Sequence, residues 1–199
     1  MRITTTKEHI LHAVLLAERI TGKKESLPIL SCVLLETQGK NLIIRATNLE
    51  AGIEIKTPAV IDGEGVVAVS ASIISQTIRS INKDTVTFKD IDGNISIESR
   101  NSKNLIKTIP HNEFPSLSQE TKQKGFSISR ERLLKGLQSV VYAASPSMIR
   151  PELGSVYISV EAGNITTVAT DSFRLAEKKI AGATKKESGE ILIPLKHTN

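Results

Sequence analysis

The sequence predicts an α+β protein made of two copies of one domain, each with two helices packed on a largely antiparallel sheet. Three observations predict it. The chain matches itself at a spacing of 123 residues, the mark of a duplicated structural unit. Each copy carries stretches whose apolar residues recur at helical spacing. Short alternating stretches joined by tight Gly- and Asn-containing turns outnumber those helices, which favours antiparallel pairing.

The repeat needs no gap over most of its length. "KEHILHAVLLA" from Lys7 lies over "RERLLKGLQSV" from Arg130. "LPILSCVLLETQGKNLIIRATNLEAGIEIK" from Leu27 lies over "RPELGSVYISVEAGNITTVATDSFRLAEKK" from Arg150. Identities include Glu8/Glu131, Pro28/Pro151, Leu30/Leu153, Val33/Val156, Asn41/Asn164, Thr47/Thr170 and Glu54/Glu177. Apolar positions agree nearly throughout.

Each copy opens on a helix. Ile10, Leu11, Val14 and Ala17 share one face, matched by Leu133, Leu134, Leu137 and Val140. Lys7, His12 and Arg19 form the polar face of the first, and Arg130, Lys135 and Gln138 that of the second. Strands follow at 31–37, 42–47 and 51–56, the first two joined by a Gln-Gly-Lys-Asn turn whose residues tolerate positive φ. "VVAVSA" is a fourth strand and 72–81 a second helix with Ile74, Ile78 and Ile81 inward. A hairpin turns at Asp92-Gly93, and "KNLIKTIP" is the last strand.

The first domain is expected at 1–117, a polar linker at 118–125, and the second domain at 126–199. "EILIPLKHTN" sets Ile193-Pro194 over Val69-Ser70. By the template of the first copy, about 45 further residues would complete the second.

Composition bounds the function. The chain is 39% hydrophobic and 24% charged, with four Phe, two Tyr and no Trp, so its core must be aliphatic. A net charge of +5 and a pI near 9.3 permit an anionic partner without requiring one. The single Cys32 has no disulfide partner within the chain, and no signal-peptide core or long apolar run is present, which places the expected location in the cytoplasm. His9 and His12 lie three apart without a further ligand and read as a solvated helix face. Neither a carboxylate cluster nor a Gly-rich phosphate loop appears.

"VATDSFRLAEKK" places Asp171 and Arg174 three residues apart after a strand. They are open to three readings: a catalytic pair, a pocket, or the tip of a turn. The first copy has "ATNLEAG" there, so Thr170 and Asp171 are explained as turn-closing residues. Arg174 is not, because the first copy has Ala51.

"LPILSCVLLE", "ATNLE", "PHNEFP", "RPEL" and "ATDSFRLA" together resemble successive signatures of the bacterial DNA polymerase III β subunit, the sliding-clamp family. The resemblance spans the whole chain in order. It implies repeated clamp domains, of which this chain would hold the first and most of the second, the third being absent. It implies a non-enzymatic replication processivity factor without cofactor or metal. A full-length subunit would form a head-to-tail homodimeric ring around double-stranded DNA of any sequence. Partners would be the DNA polymerase III catalytic subunit, the clamp loader and proteins carrying a clamp-binding motif.

Carried over by residue, the peptide pocket falls on Leu153, Thr170, Ser172, Phe173, Arg174 and Leu175. Phe173 departs from a frequent His and would make the rim more apolar. Lys24 and Arg79 match basic positions facing DNA, with Lys23, His12 and Lys135 as neighbours, whereas Ser147 departs from a polar contact. The ring-closing edge falls on Lys103, Leu105, Ile106 and Lys107. Two other classes stay open from the residues: a stand-alone peptide-binding adaptor and a nucleic-acid enzyme.

Overall fold

A computed structural model describes residues 1–22, 27–117, 127–147, 149–181 and 188–198. The chain divides into two compact units, Met1–Ser118 and Gln119–Asn199. The expected linker at 118–125, like Lys23 and Lys24, lies outside the described residues.

Unit 1 opens on a strand, not a helix: β1 (Arg2–Thr6) precedes α1 (Lys7–Ile20). Then come β2 (Cys32–Gln38), β3 (Asn41–Thr47), β4 (Gly52–Pro58), β5 (Val60–Gly63) and β6 (Val66–Ser70). They are followed by α2 (Ala71–Ser80), β7 (Thr85–Ile91), β8 (Asn94–Ser99) and β9 (Ser102–Ile109). The nine strands run in the order β4-β3-β2-β6-β9-β8-β7-β1-β5, with every pairing antiparallel. Only Ala59 separates β4 at one end of that order from β5 at the other, and Thr5 Oγ1 donates to Pro58 O at 2.9 Å beside this junction.

The core of unit 1 is aliphatic, as the composition requires. Ile10, Val14 and Ala17 of α1 and Ile74 and Ile78 of α2 are buried with Leu35, Ile44, Val69, Ile95, Ile97 and Phe88 of the strands. Full burial of each such side chain contributes about 1.5–3 kcal/mol. Lys7, expected on the solvated face of α1, has a structural task instead. Its ammonium donates to the carbonyls of Arg79, at 3.2 Å, and Ile81, where α2 ends. Carbonyls at a helix C-terminus lack intrahelical partners and carry the negative end of the dipole, so a cation is favoured there.

Unit 2 holds α3 (Arg130–Val140), β10 (Ser155–Glu161), β11 (Asn164–Thr170), β12 (Leu175–Ala181) and β13 (Gly189–Pro194), with sheet order β12-β11-β10-β13. Among the described residues α3 is its one α-helix. β10, β11 and β12 are β2, β3 and β4 displaced by 123 residues at both ends, and Leu35↔Ile44 becomes Ile158↔Thr167. The helix caps obey the same shift: Thr6 accepts the His9 N–H, and Ser129 the Arg132 N–H. So does a contact ahead of the first shared strand. Cys32 Sγ lies 3.7 Å from Pro28 O, and Ser155 Oγ donates to Pro151 O at 2.7 Å. The pairing Val33↔Val69 becomes Val156↔Ile193, so one residue is gained before β13.

The helices meet their sheets differently. Leu134, expected inward, is exposed, while Gly136 and Val140 are buried. Gly136 replaces Ala13 because α3 lies close on its sheet: a Cβ there would stand 2.9 Å from Ile180 Cδ1 and 3.0 Å from Thr167 Cγ2. Thr167 Oγ1 donates to Gly136 O at 3.2 Å across that contact.

Candidate functional site

Three pieces of unit 2 gather at one end of its sheet. β10 begins there, β11 ends there at Thr170, and β12 begins there at Leu175, because both pairings are antiparallel and Thr170 pairs with Leu175. Leu153 sits in the turn entering β10, half-buried, its carbonyl accepting the Ser145 N–H at 2.8 Å. The topology thus places Leu153, Thr170 and Leu175 at a common end, with Ser172, Phe173 and Arg174 in the turn between β11 and β12.

That turn is built by Thr170 and Asp171. Thr170 Oγ1 donates to Arg174 O at 2.7 Å and accepts the Ser172 N–H at 3.2 Å. Asp171 Oδ1 accepts the N–H groups of Phe173 and Arg174, each at 3.0 Å. Ser172 takes the positive φ, 77°, that the reversal requires. Asp171 Oδ2 receives Arg174 Nε at 2.9 Å. The Phe173 N–H above all, then the Arg174 N–H and guanidinium, hold the Asp171 carboxyl below the usual carboxylate range. An acid so engaged is a poor proton acceptor, which disfavours a catalytic dyad.

Arg174 has a second neighbour that the sequence reading did not single out. Its guanidinium carbon lies 5.9 Å from the centre of the Tyr142 ring, within cation–π range. The repeat carried a signal for this pair: positions 142 and 174 correspond to Arg19 and Ala51, so both depart from the first copy together. Phe173 is 98% exposed, with Leu175 and Tyr142 also exposed. A held arginine thus projects among uncovered apolar side chains, a combination suited to a short peptide with an apolar anchor and an acceptor group.

The expected DNA-facing residues are partly visible. Arg79 on α2 and Lys135 on α3 are exposed, and His12, exposed on α1, is the repeat counterpart of Lys135. The expected edge is more particular than the sequence suggested. β9 is not terminal in the order, but only its last residues, Thr108 and Ile109, pair with β6. The stretch Ser102–Lys107 pairs with β8 alone. Leu105 is 60% exposed there, and Lys103 and Lys107 also point outward. Ile106 differs from these neighbours in that the alternation turns its side chain into the core, 6% exposed. Lys103 is shared with the surface, its ammonium 3.3 Å from Glu98, which also binds Lys89.

Among the described residues, no group of three or more His, Cys, Asp or Glu side chains is placed to hold a metal, and no helix is long and apolar enough to cross a membrane.

A duplicated helix-on-antiparallel-sheet domain defines the class: a repeat scaffold. Comparison with known proteins gives the family. The profile of the DNA polymerase III beta subunit N-terminal domain matches residues 1–118, and that of its central domain matches 127–199. The chain belongs to the DNA polymerase III beta subunit family, whose members are non-catalytic processivity factors of DNA replication. It is 27% identical to the beta sliding clamp of Treponema pallidum, with 98% of this chain and 54% of that relative covered. For the beta sliding clamp of Pseudomonas aeruginosa the figures are 24%, 98% and 54%. The DNA polymerase III beta chain of Streptococcus pneumoniae superposes with a TM-score of 0.89 at 25% identity, over 99% of this chain and 55% of that one. The chain thus spans about half the length of these relatives.

Proposed function

We propose that this chain is part of a ring-forming replication clamp, whose full-length subunits pair head to tail around duplex DNA and tether DNA polymerase III. The observation that carries the reading is the duplicated domain, whose two halves match the family's first two domain profiles in order. The clamp loader opens and closes such a ring, and other clamp-binding-motif proteins share its peptide pocket, all within the bacterial cytoplasm. The pocket is Leu153, Thr170, Ser172, Phe173, Arg174 and Leu175, and it supports the reading that the turn is one part of this pocket in the full-length ring. Lys23, Lys24, Arg79 and Lys135 face DNA. Lys103, Leu105, Ile106 and Lys107 on the open length of β9 meet the partner subunit.

A ring holds DNA by enclosing it, so phosphate contacts are few and sequence-blind. Each neutralised phosphate adds roughly −0.9 to the slope of log K against log salt. The full-length protein, loaded by its clamp loader, is expected to persist on nicked circles and to leave once they are linearised. Equal departure from circles and linear DNA removes the ring. In the same protein, Arg174→Ala is expected to weaken a clamp-binding peptide by about 1.5–3 kcal/mol, roughly 10- to 150-fold. An unchanged Kd by fluorescence anisotropy removes Arg174 from the pocket.

A further inference from the structure

The two copies part at the end of their first helix, and unit 2 gains an aromatic ring there. In unit 1 the winding stays α-helical through Ile20, whereas the matching end in unit 2, Val141–Ala143, tightens into a 3₁₀ turn. Val140, Ala143 and Ala144 on either side are buried, so Tyr142 between them is left outside, 62% exposed. The segment is tied to the candidate pocket, because the Ser145 N–H donates to Leu153 O at 2.8 Å.

Tyr142 meets an arginine that is otherwise held at one edge. Arg174 Nε donates to Asp171 Oδ2 at 2.9 Å, and among the described residues no other oxygen receives the guanidinium. A single hydrogen bond fixes one point of the planar group and leaves the plane free to swing about it. The Tyr142 ring, its centre 5.9 Å from the guanidinium carbon, supplies the second contact. The two terminal nitrogens and their N–H groups then remain to meet a ligand. A guanidinium held before the ligand arrives loses less freedom on binding.

The first copy shows that these parts are not needed to build the turn. It has Arg19 at the place of Tyr142, Asn48 at that of Asp171 and Ala51 at that of Arg174. Asn48 Oδ1 accepts the N–H groups of Glu50 and Ala51, at 3.1 and 2.9 Å, just as Asp171 Oδ1 accepts those of Phe173 and Arg174. What unit 2 adds to that scaffold is the arginine, the carboxylate oxygen that receives it and the ring beside it.

We propose that Tyr142 is a positioning residue of the peptide pocket, its ring face holding the Arg174 guanidinium so that the terminal nitrogens meet an oxygen acceptor on the bound peptide. The ring acts through the arginine, and through its face rather than its hydroxyl. The ligand rests on the peptide reading of unit 2, but the contact of ring and guanidinium stands without it.

Affinity is read in the full-length protein by fluorescence anisotropy, with a labelled, capped pentapeptide of leucine, phenylalanine and glutamine as the probe. Tyr142→Leu keeps apolar bulk at an exposed place and removes the ring, and is expected to weaken the peptide about two- to fivefold. Tyr142→Phe, which keeps the ring, is expected to bind as the parent does. In an Arg174→Ala background, Tyr142→Leu is expected to change nothing further. The Arg174 Nε–Hε resonance of the ¹⁵N-labelled whole chain reads the positioning without any peptide. It is expected to move in Tyr142→Leu and to stay in Tyr142→Phe. Equal losses from Tyr142→Leu with and without Arg174 make the ring a direct peptide contact and overturn the proposal. So does an unchanged affinity in Tyr142→Leu, an equal loss in Tyr142→Phe, or an Nε–Hε resonance indifferent to the ring. If Arg174→Ala alone leaves the peptide unaffected, the pocket reading fails and the peptide role of Tyr142 falls with it, while the resonance still reports whether the ring holds the arginine.

Discussion

The turns at 47–52 and 170–175 have the same scaffold and different surfaces. In both, a threonine hydroxyl bridges the ends and a short polar side chain caps two backbone N–H groups. Above that scaffold, unit 1 presents leucine and glutamate beside a groove, and unit 2 presents phenylalanine and an arginine held by Asp171. Duplication has preserved the residues that close the turn and released those that point away from it. Specificity can therefore change without rebuilding the backbone.

Four substitutions break or sharpen this comparison. The largest effect is expected at the helix that packs on the second sheet. Gly136→Val drives a branched side chain into Thr167 and Ile180 and should cost unit 2 about 2–3 kcal/mol. Hydrogen exchange should show loss of protection confined to β10–β12, with β2–β4 unchanged; uniform loss would contradict two separately packed cores.

A smaller effect separates the two scaffolds. Thr47 is buried at 4% exposure, and Thr170 is half-buried. Thr47→Val leaves the part-buried Leu49 N–H without its acceptor and should cost about 1–2 kcal/mol. Thr170→Val, where water can replace the hydroxyl, should cost about 0.5–1 kcal/mol. Denaturant unfolding of the two variants should rank them in that order.

The smallest effect is a change in pH response. Asp171→Asn converts the second cap into the first one's chemistry, so the turn should survive while Arg174 loses its charged partner. Because the Asp171 carboxyl is held below its ordinary value of about 4, its contribution is complete above that value. It is lost as pH falls through the lowered folded-state pKa. The Phe173 and Arg174 amide shifts should follow that transition in the parent chain and stay flat in the asparagine variant. A transition that persists in the variant would assign the acid response elsewhere.

Much of this was readable from the repeat. β2–β4 and β10–β12 carry alternating apolar residues and Gly or Asn turns, and the shift of 123 residues predicts their register. β1 was missed because "RITTT" buries only Ile3 and Thr5, so the alternation looks polar. β5 was missed because four residues are too few for a period. The match to Leu11 points Leu134 inward, but α3 approaches its sheet through Gly136, and a glycine gives no hydrophobic signal. Thr170 and Asp171 were legible because the first copy repeats their roles. Tyr142 was not, since a ring and a guanidinium brought together by folding leave no spacing rule in the chain.

The place of β1 in the sheet has a consequence for synthesis. Its partners are β5 and β7, so β1 finds its second neighbour only when Thr85–Ile91 has been made. At about 5–20 residues per second, that wait lasts roughly 4–16 s. The three-strand meander β10–β11–β12 instead pairs each strand with the next one made. Unit 1 emerges earlier but waits longer for its closing contact, leaving the edge of β1 unpaired while the chain grows.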